Sequence, residues 1–215
     1  EDKEELSKIL IKEIKKTLQE LKISPTASCL IIGLGNRKST SDSLGPKTID
    51  KILVTRHLFE LDANVKAGIR NISAISPGVM ADTGIETSDI IMSIITRIKP
   101  DFLIVIDSLA ASSISRINKT IQLTDTGIHP GSGVGNNRKE ISQETLGIPV
   151  IAIGVPTVVE SVIVVNDTIN YLFKHLMYIK KNYHMNKLVF LHDKNYLNNI
   201  DETLSTGEKK ELSGI

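Results

Sequence analysis

Apolar side chains at Leu6, Ile9, Leu10, Ile14, Leu18 and Leu21 recur three and four residues apart in a mostly polar stretch. That period places them on one face of a helix over residues 3–22, which Pro25 ends. The pattern then changes. Ser28-Cys29-Leu30-Ile31-Ile32 is uninterrupted and stops at Gly33-Leu34-Gly35-Asn36, so a buried strand is predicted over 28–32 with a polar loop behind it. Pro46, in Asp42-Ser43-Leu44-Gly45-Pro46, suits the first turn of a helix, where a missing N–H is not needed. The spacing carries that helix to about Phe59.

A short strand is predicted near Ile72–Ile75, then a loop from Ser76 to Gly84 and a helix from Glu86 to Ile98 closed by Pro100. Phe102-Leu103-Ile104-Val105-Ile106 is the most apolar run, as a strand covered on both faces requires, and Asp107 follows it at once. A strand near 120–123 precedes a glycine-rich loop from Asp125 to Asn137, a buried strand over Val150–Ile153 and a helix from about Val158 to Met177. Strands alternating with helices predict an α/β fold: three layers, a mainly parallel sheet with helices on both faces, and sites at the carboxyl ends of the strands. Beyond Lys180 the hydrophobic period fades. Residues 1–180 are therefore expected to form a single α/β core, and 181–215 a polar, loosely ordered extension.

The 215 residues are enough for a sizeable buried core, and 26 Lys+Arg against 25 Asp+Glu generate no field that would draw nucleic acid or an anionic membrane. No apolar run approaches the roughly 20 residues that span a bilayer, and the chain begins Glu1-Asp2-Lys3-Glu4-Glu5, so an intracellular protein is expected. The sequence does not begin with Met, which points to a processed or truncated piece. Cys29 is the single cysteine; inside its apolar run it is expected to pack as a small hydrophobe.

Partners must then be argued from a site. A carboxylate directly after the most buried strand must be paired, hydrogen-bonded or protonated, which makes Asp107 either part of a site or the cap of a following helix. Asp42, in the loop before Pro46, carries the same two readings. If both strands are parallel neighbours, both carboxyl groups face one crevice. Two close carboxylates do not both ionise readily, so such a pair can activate water and protonate a leaving amine. The stretch from Thr124 to Asn136 is the densest polar cluster, and Gly131 and Gly133 there let backbone approach a ligand. Its spacing fits neither the nucleotide P-loop nor the dinucleotide fingerprint; N–H groups lining a peptide cleft or an oxyanion fit better. His129 is open to three roles: base, metal ligand or structural hydrogen-bonder. Asp82 and Glu86 read as caps. Neither a nucleophile elbow nor a His-Glu-x-x-His spacing occurs.

Ser41-Asp42-Ser43-Leu44-Gly45-Pro46, Thr55-Arg56-His57-Leu58-Phe59-Glu60-Leu61, Pro77-Gly78-Val79-Met80, Thr83-Gly84-Ile85-Glu86-Thr87-Ser88-Asp89-Ile90 and Ile106-Asp107-Ser108-Leu109-Ala110-Ala111 resemble, in that order, the spore germination protease family. Residues 26–36, Gly127–Asn136, 138–142 and Thr145–Gly154 extend the likeness. The resemblance implies an endopeptidase that degrades small acid-soluble spore proteins in the spore-core cytoplasm, a group of atypical aspartic proteases with a distant fold likeness to hydrogenase maturation proteases. The family's two proposed catalytic aspartates fall on Asp42 and Asp107. Substrate contacts are then expected from His129, from glycine N–H groups between Gly127 and Gly135, Gly131 and Gly133 among them, and, since the family's substrates are cut beside acidic residues, from Arg138 or Lys139 to a substrate carboxylate; no cofactor or metal is expected, and the resemblance implies a homotetramer made from a zymogen. The family's chains extend beyond this one at both ends, and the propeptide region is not in this sequence. Two rivals follow: a metal-assisted protease with Asp42, Asp107 and His129 as ligands, and a non-catalytic protein that holds spore proteins or peptides in the same cleft.

Overall fold

The apolar runs become strands: β1 (Cys29–Gly33), β2 (Ile72–Ile75), β3 (Phe102–Ala111), β4 (Gln122–Thr124) and β5 (Val150–Val159). They are taken from a computed structural model that describes residues 2–61, 68–129 and 139–181. The strands form one five-stranded sheet in the order β2-β1-β3-β5-β4. β1 runs parallel to β2, with Cys29 opposite Ile72, and parallel to β3, with Cys29 opposite Phe102 and Gly33 opposite Ile106. Only β4 breaks the pattern, pairing antiparallel with β5 at the edge, so the sheet is mainly parallel as predicted.

Seven helices are described: α1 (Asp2–Glu20), α2 (Leu44–Ile49), α3 (Arg56–Leu61), α4 (Met80–Thr83), α5 (Thr87–Ile98), α6 (Gln143–Leu146) and α7 (Ser161–Lys181). Side chains alternate across each strand, and the two sets bury against different helices. Leu30, Ile32, Leu103 and Val105 pack with Ile91 and Ile95 of α5 on one face. Cys29, Ile31, Phe102 and Ile106 pack with Leu18 of α1 and with Leu44 and Ile49 of α2 on the other. Three layers result. Among the described residues no helix is long and apolar enough to cross a membrane.

Four local predictions are corrected. The helix expected from Pro46 to Phe59 is two, because Thr55 is pulled out of helical geometry by contacts far along the chain. Its N–H donates to the carbonyl of Ile72 at 3.0 Å, and its hydroxyl donates to the carbonyl of Arg70 and accepts from the N–H of Ile72. The loop after β2 contains the short helix α4, closed by Gly84 in the left-handed region. β3 does not stop at Ile106 but runs on to Ala111. β5 likewise runs on to Val159, which delays α7 to Ser161.

Among the described residues, 112–114 and 159–181 belong to a second compact unit. Within it, the Asp167 carboxylate on α7 accepts from the Ser113 hydroxyl at 3.1 Å and from the Ile114 N–H at 2.9 Å.

The entry to α2 is set by a backbone-to-backbone contact. A Cβ on Gly45 would fall on the N–H and carbonyl of Leu34, and a Cβ on Gly33 would fall on the carbonyl of Gly45. On helix propensity alone Gly45→Ala should stabilise by about 1 kcal/mol; overpacking predicts the opposite sign, a loss of roughly 1–3 kcal/mol in urea unfolding. Burial pushes the Cys29 thiol from 9.0 up to about 12. Because the folded value is raised, its contribution to stability is full below about pH 9 and is lost as pH rises toward 12. The native chain should therefore resist thiol reagents near neutral pH until it unfolds. Its unfolding free energy should fall above about pH 9 by up to ~1.4 kcal/mol per pH unit, a slope that Cys29→Ala removes.

Candidate active site

Asp42 is held by the turn that ends β1. Past Leu34 the chain reverses at Gly35, whose φ is +109°, a conformation that side chains oppose. A Cβ there would also collide with the Asp42 carbonyl and lie 2.9 Å from Asp42 Oδ1. The Asn36 N–H donates to both the backbone carbonyl and Oδ2 of Asp42, each at 2.8 Å, and the Asp42 N–H donates to the Ser39 carbonyl at 3.0 Å. The loop is tied outward as well. Arg37 makes a forked pair with Asp50 and reaches the Pro46 carbonyl at 3.2 Å, while Lys38 Nζ lies 2.9 Å from Asp82 Oδ1. Thr157 of β5 donates its hydroxyl to the Ser41 carbonyl at 2.5 Å. Asp42 is not the cap of α2: it lies in a short 3-10 turn, Thr40–Asp42, and Ser43 is the capping residue.

Asp107 is not a cap either. It lies inside β3, one residue past the end of β1 pairing, and is only 4% exposed. The Leu34 N–H donates to the Ile106 carbonyl at 2.8 Å, the last bond between the two strands. The Ser108 N–H then donates to Asp107 Oδ1 at 2.8 Å, giving the buried carboxyl group a local donor.

Asp42 and Asp107 line the same cleft of about 330 Å³, together with Asn36 and Ser41 from the first loop, Val79 just before α4, Thr87 at the start of α5, and Thr157. The cleft opens at the carboxyl end of β1. There β2 lies to one side and β3 to the other, with α2 below and α5 above, which is the strand-order switch where α/β sheets collect ligands. Two carboxyl groups in one cleft can divide acid and base work between them.

The remaining predicted residues lie elsewhere or outside the described residues. His129 is exposed beside the Ile128–Ile141 bridge, its Nε2 3.9 Å from Glu140 Oε1, and is not among the residues that line the cleft. Gly131, Gly133 and Arg138 lie outside the described residues. Glu86 precedes α5 without a side-chain capping bond, and Asp82 pairs with Lys38. Among the described residues no group of three or more His, Cys, Asp or Glu is placed to hold a metal ion. Thr157, Thr87 and Ser108 line the cleft without having been singled out in the sequence; nothing local marks them, since they come from three separate elements.

The family model described as germination protease matches residues 1–210. The chain is 57% identical over 176 residues to the germination protease of Priestia megaterium, covering 81% of this chain and 48% of that protein. It is 60% identical over 173 residues to that of Bacillus mycoides, covering 80% and 47%. It thus spans about half the length of the curated relatives it matches. Among solved structures, it resembles the [NiFe] hydrogenase maturation protease HycI from Thermococcus kodakarensis at TM-score 0.35 and 17% identity, covering 64% of this chain and 83% of that one. The maturation protease HybD from the same organism matches at 0.27 and 11%, over 62% and 87%. A family model matched along nearly the whole sequence, with relatives of this identity over four-fifths of it, makes the chain a member of the germination protease family.

Proposed function

We propose that this chain is the catalytic core of an endopeptidase that degrades small acid-soluble spore proteins during germination, with Asp42 and Asp107 as the water-activating pair. The observation that carries the reading is their placement: two aspartates from different elements line one cleft at the switch point of the sheet. Family membership supports the protease activity, and the spore-protein substrate follows from the motif resemblance.

In this mechanism the ionised member takes a proton from water as its oxygen attacks the scissile carbonyl. The protonated member donates to the carbonyl oxygen. Collapse of the tetrahedral intermediate breaks the C–N bond, and the proton taken from water passes to the leaving amine. Asp107 is fixed by burial and by the Ser108 N–H, and Asp42 by the Asn36 N–H, so both carboxyl groups are held in place for this exchange.

Asp42→Asn and Asp107→Asn should each lower kcat on an acid-soluble spore protein by at least about 10³-fold while the unfolding midpoint stays near that of the parent. A loss within about tenfold, roughly 1.4 kcal/mol of barrier, at either position removes that residue from the chemistry. The rate should also be bell-shaped in pH, falling in acid as both carboxyl groups protonate and in alkali as both ionise.

A further inference from the structure

β3 continues past the point where its neighbour stops. β1 pairs with it only as far as Gly33 opposite Ile106, Leu34 adds one more bond to the Ile106 carbonyl, and the turn at Gly35 then takes the chain away. β3 itself extends to Ala111. Among the described residues no strand pairs with that edge of β3 beyond Ile106, since its sheet neighbours are β1 and β5.

Strand geometry says which backbone groups this leaves outward. Ile106 offers its carbonyl to β1, and Leu103 turns its N–H the other way, to the Pro149 carbonyl just before β5. Successive residues of a strand alternate sides, so Ser108 and Ala110 face the line that β1 has vacated. Both residues line the cleft that contains Asp42 and Asp107. The Ser108 N–H is taken by the Asp107 carboxyl group, which among the described residues leaves the Ser108 carbonyl and the N–H and carbonyl of Ala110 on the open edge. An open edge beside buried residues is a template for another strand.

We propose that the substrate binds as an extended strand that takes up the line of β1 beyond Leu34, hydrogen-bonded to the β3 edge at Ser108 and Ala110, which carries its scissile bond between Asp42 and Asp107. The inference rests on the catalytic reading above and adds to it how the peptide is held. Main-chain pairing supplies affinity regardless of side chain, and only every second substrate residue turns its N–H toward β3. The partner must therefore be locally unfolded, because a helical segment has its N–H groups already bonded.

The test uses a synthetic peptide spanning a mapped cut site of an acid-soluble spore protein, and a series in which each backbone N–H in turn is N-methylated. Binding is measured to the intact protein bearing Asp107→Asn, and cleavage is measured with the parent. Affinity should fall by about tenfold or more at alternate positions near the cut and change little between them. A peptide that is cut by the parent but tolerates N-methylation everywhere, or loses affinity without alternation, overturns the strand-pairing inference and leaves the catalytic reading standing. An alternating pattern without cleavage supports the strand and contradicts the chemistry; a peptide that neither binds nor is cut contradicts both. Ala110→Pro, which deletes one edge donor, should raise KM several-fold more than it changes kcat, with its unfolding midpoint as the control for folding.

Discussion

The hydrogen bond from the Leu34 N–H to the Ile106 carbonyl is the last link between β1 and β3, and the cleft exists because pairing ends there. One residue later on β3 comes Asp107; one residue later on the other chain segment comes the reversal at Gly35 that brings Asp42 back. If β1 ran on, its next residues would fill the space beside Asp107. If it stopped earlier, Asp42 would be carried away from the sheet.

The reversal demands an unusual backbone. Gly35 needs a left-handed conformation and an absent side chain at once, since a Cβ would meet the carbonyl of the residue it helps to hold. Close approach at Gly33 and Gly45 seats α2 directly against the strand end, which fixes where the loop between them begins and finishes. With its ends fixed, the loop has its Asp42 backbone and carboxylate both gripped by Asn36, and its outer side tied to α4 by Lys38 and to β5 by Thr157. Rigid positioning of this kind is what acid–base chemistry needs, because misplacement by an ångström lowers rates steeply.

Much of the framework was legible in residue patterns, for local reasons. The runs at 28–32 and 102–106 are strands because a sheet covered on both faces buries so continuous an apolar segment, and the spacing of Ile91 and Ile95 marks the inner face of α5. What could not be read was decided at a distance. Thr55 breaks a helix through bonds to Arg70 and Ile72, and Thr157 reaches Ser41 from 116 residues away. The polar pair Asp107-Ser108 looks like the end of a strand, yet β5 on its other side keeps β3 extended to Ala111. Asp42 and Asp107 stood out as chemistry-bearing residues beside strand ends, but their meeting in one cleft depends on strand order, which no local pattern encodes.

The central claim is that the two aspartates act as one unit across that cleft. A double-variant cycle on cleavage of an acid-soluble spore protein tests it most directly, comparing kcat for Asp42→Asn, Asp107→Asn and the chain carrying both. Residues that share one proton transfer fail together, so the double variant should be no slower than the slower single one. Losses that multiply, or a double variant slowed by the sum of two independent barriers, would contradict the account.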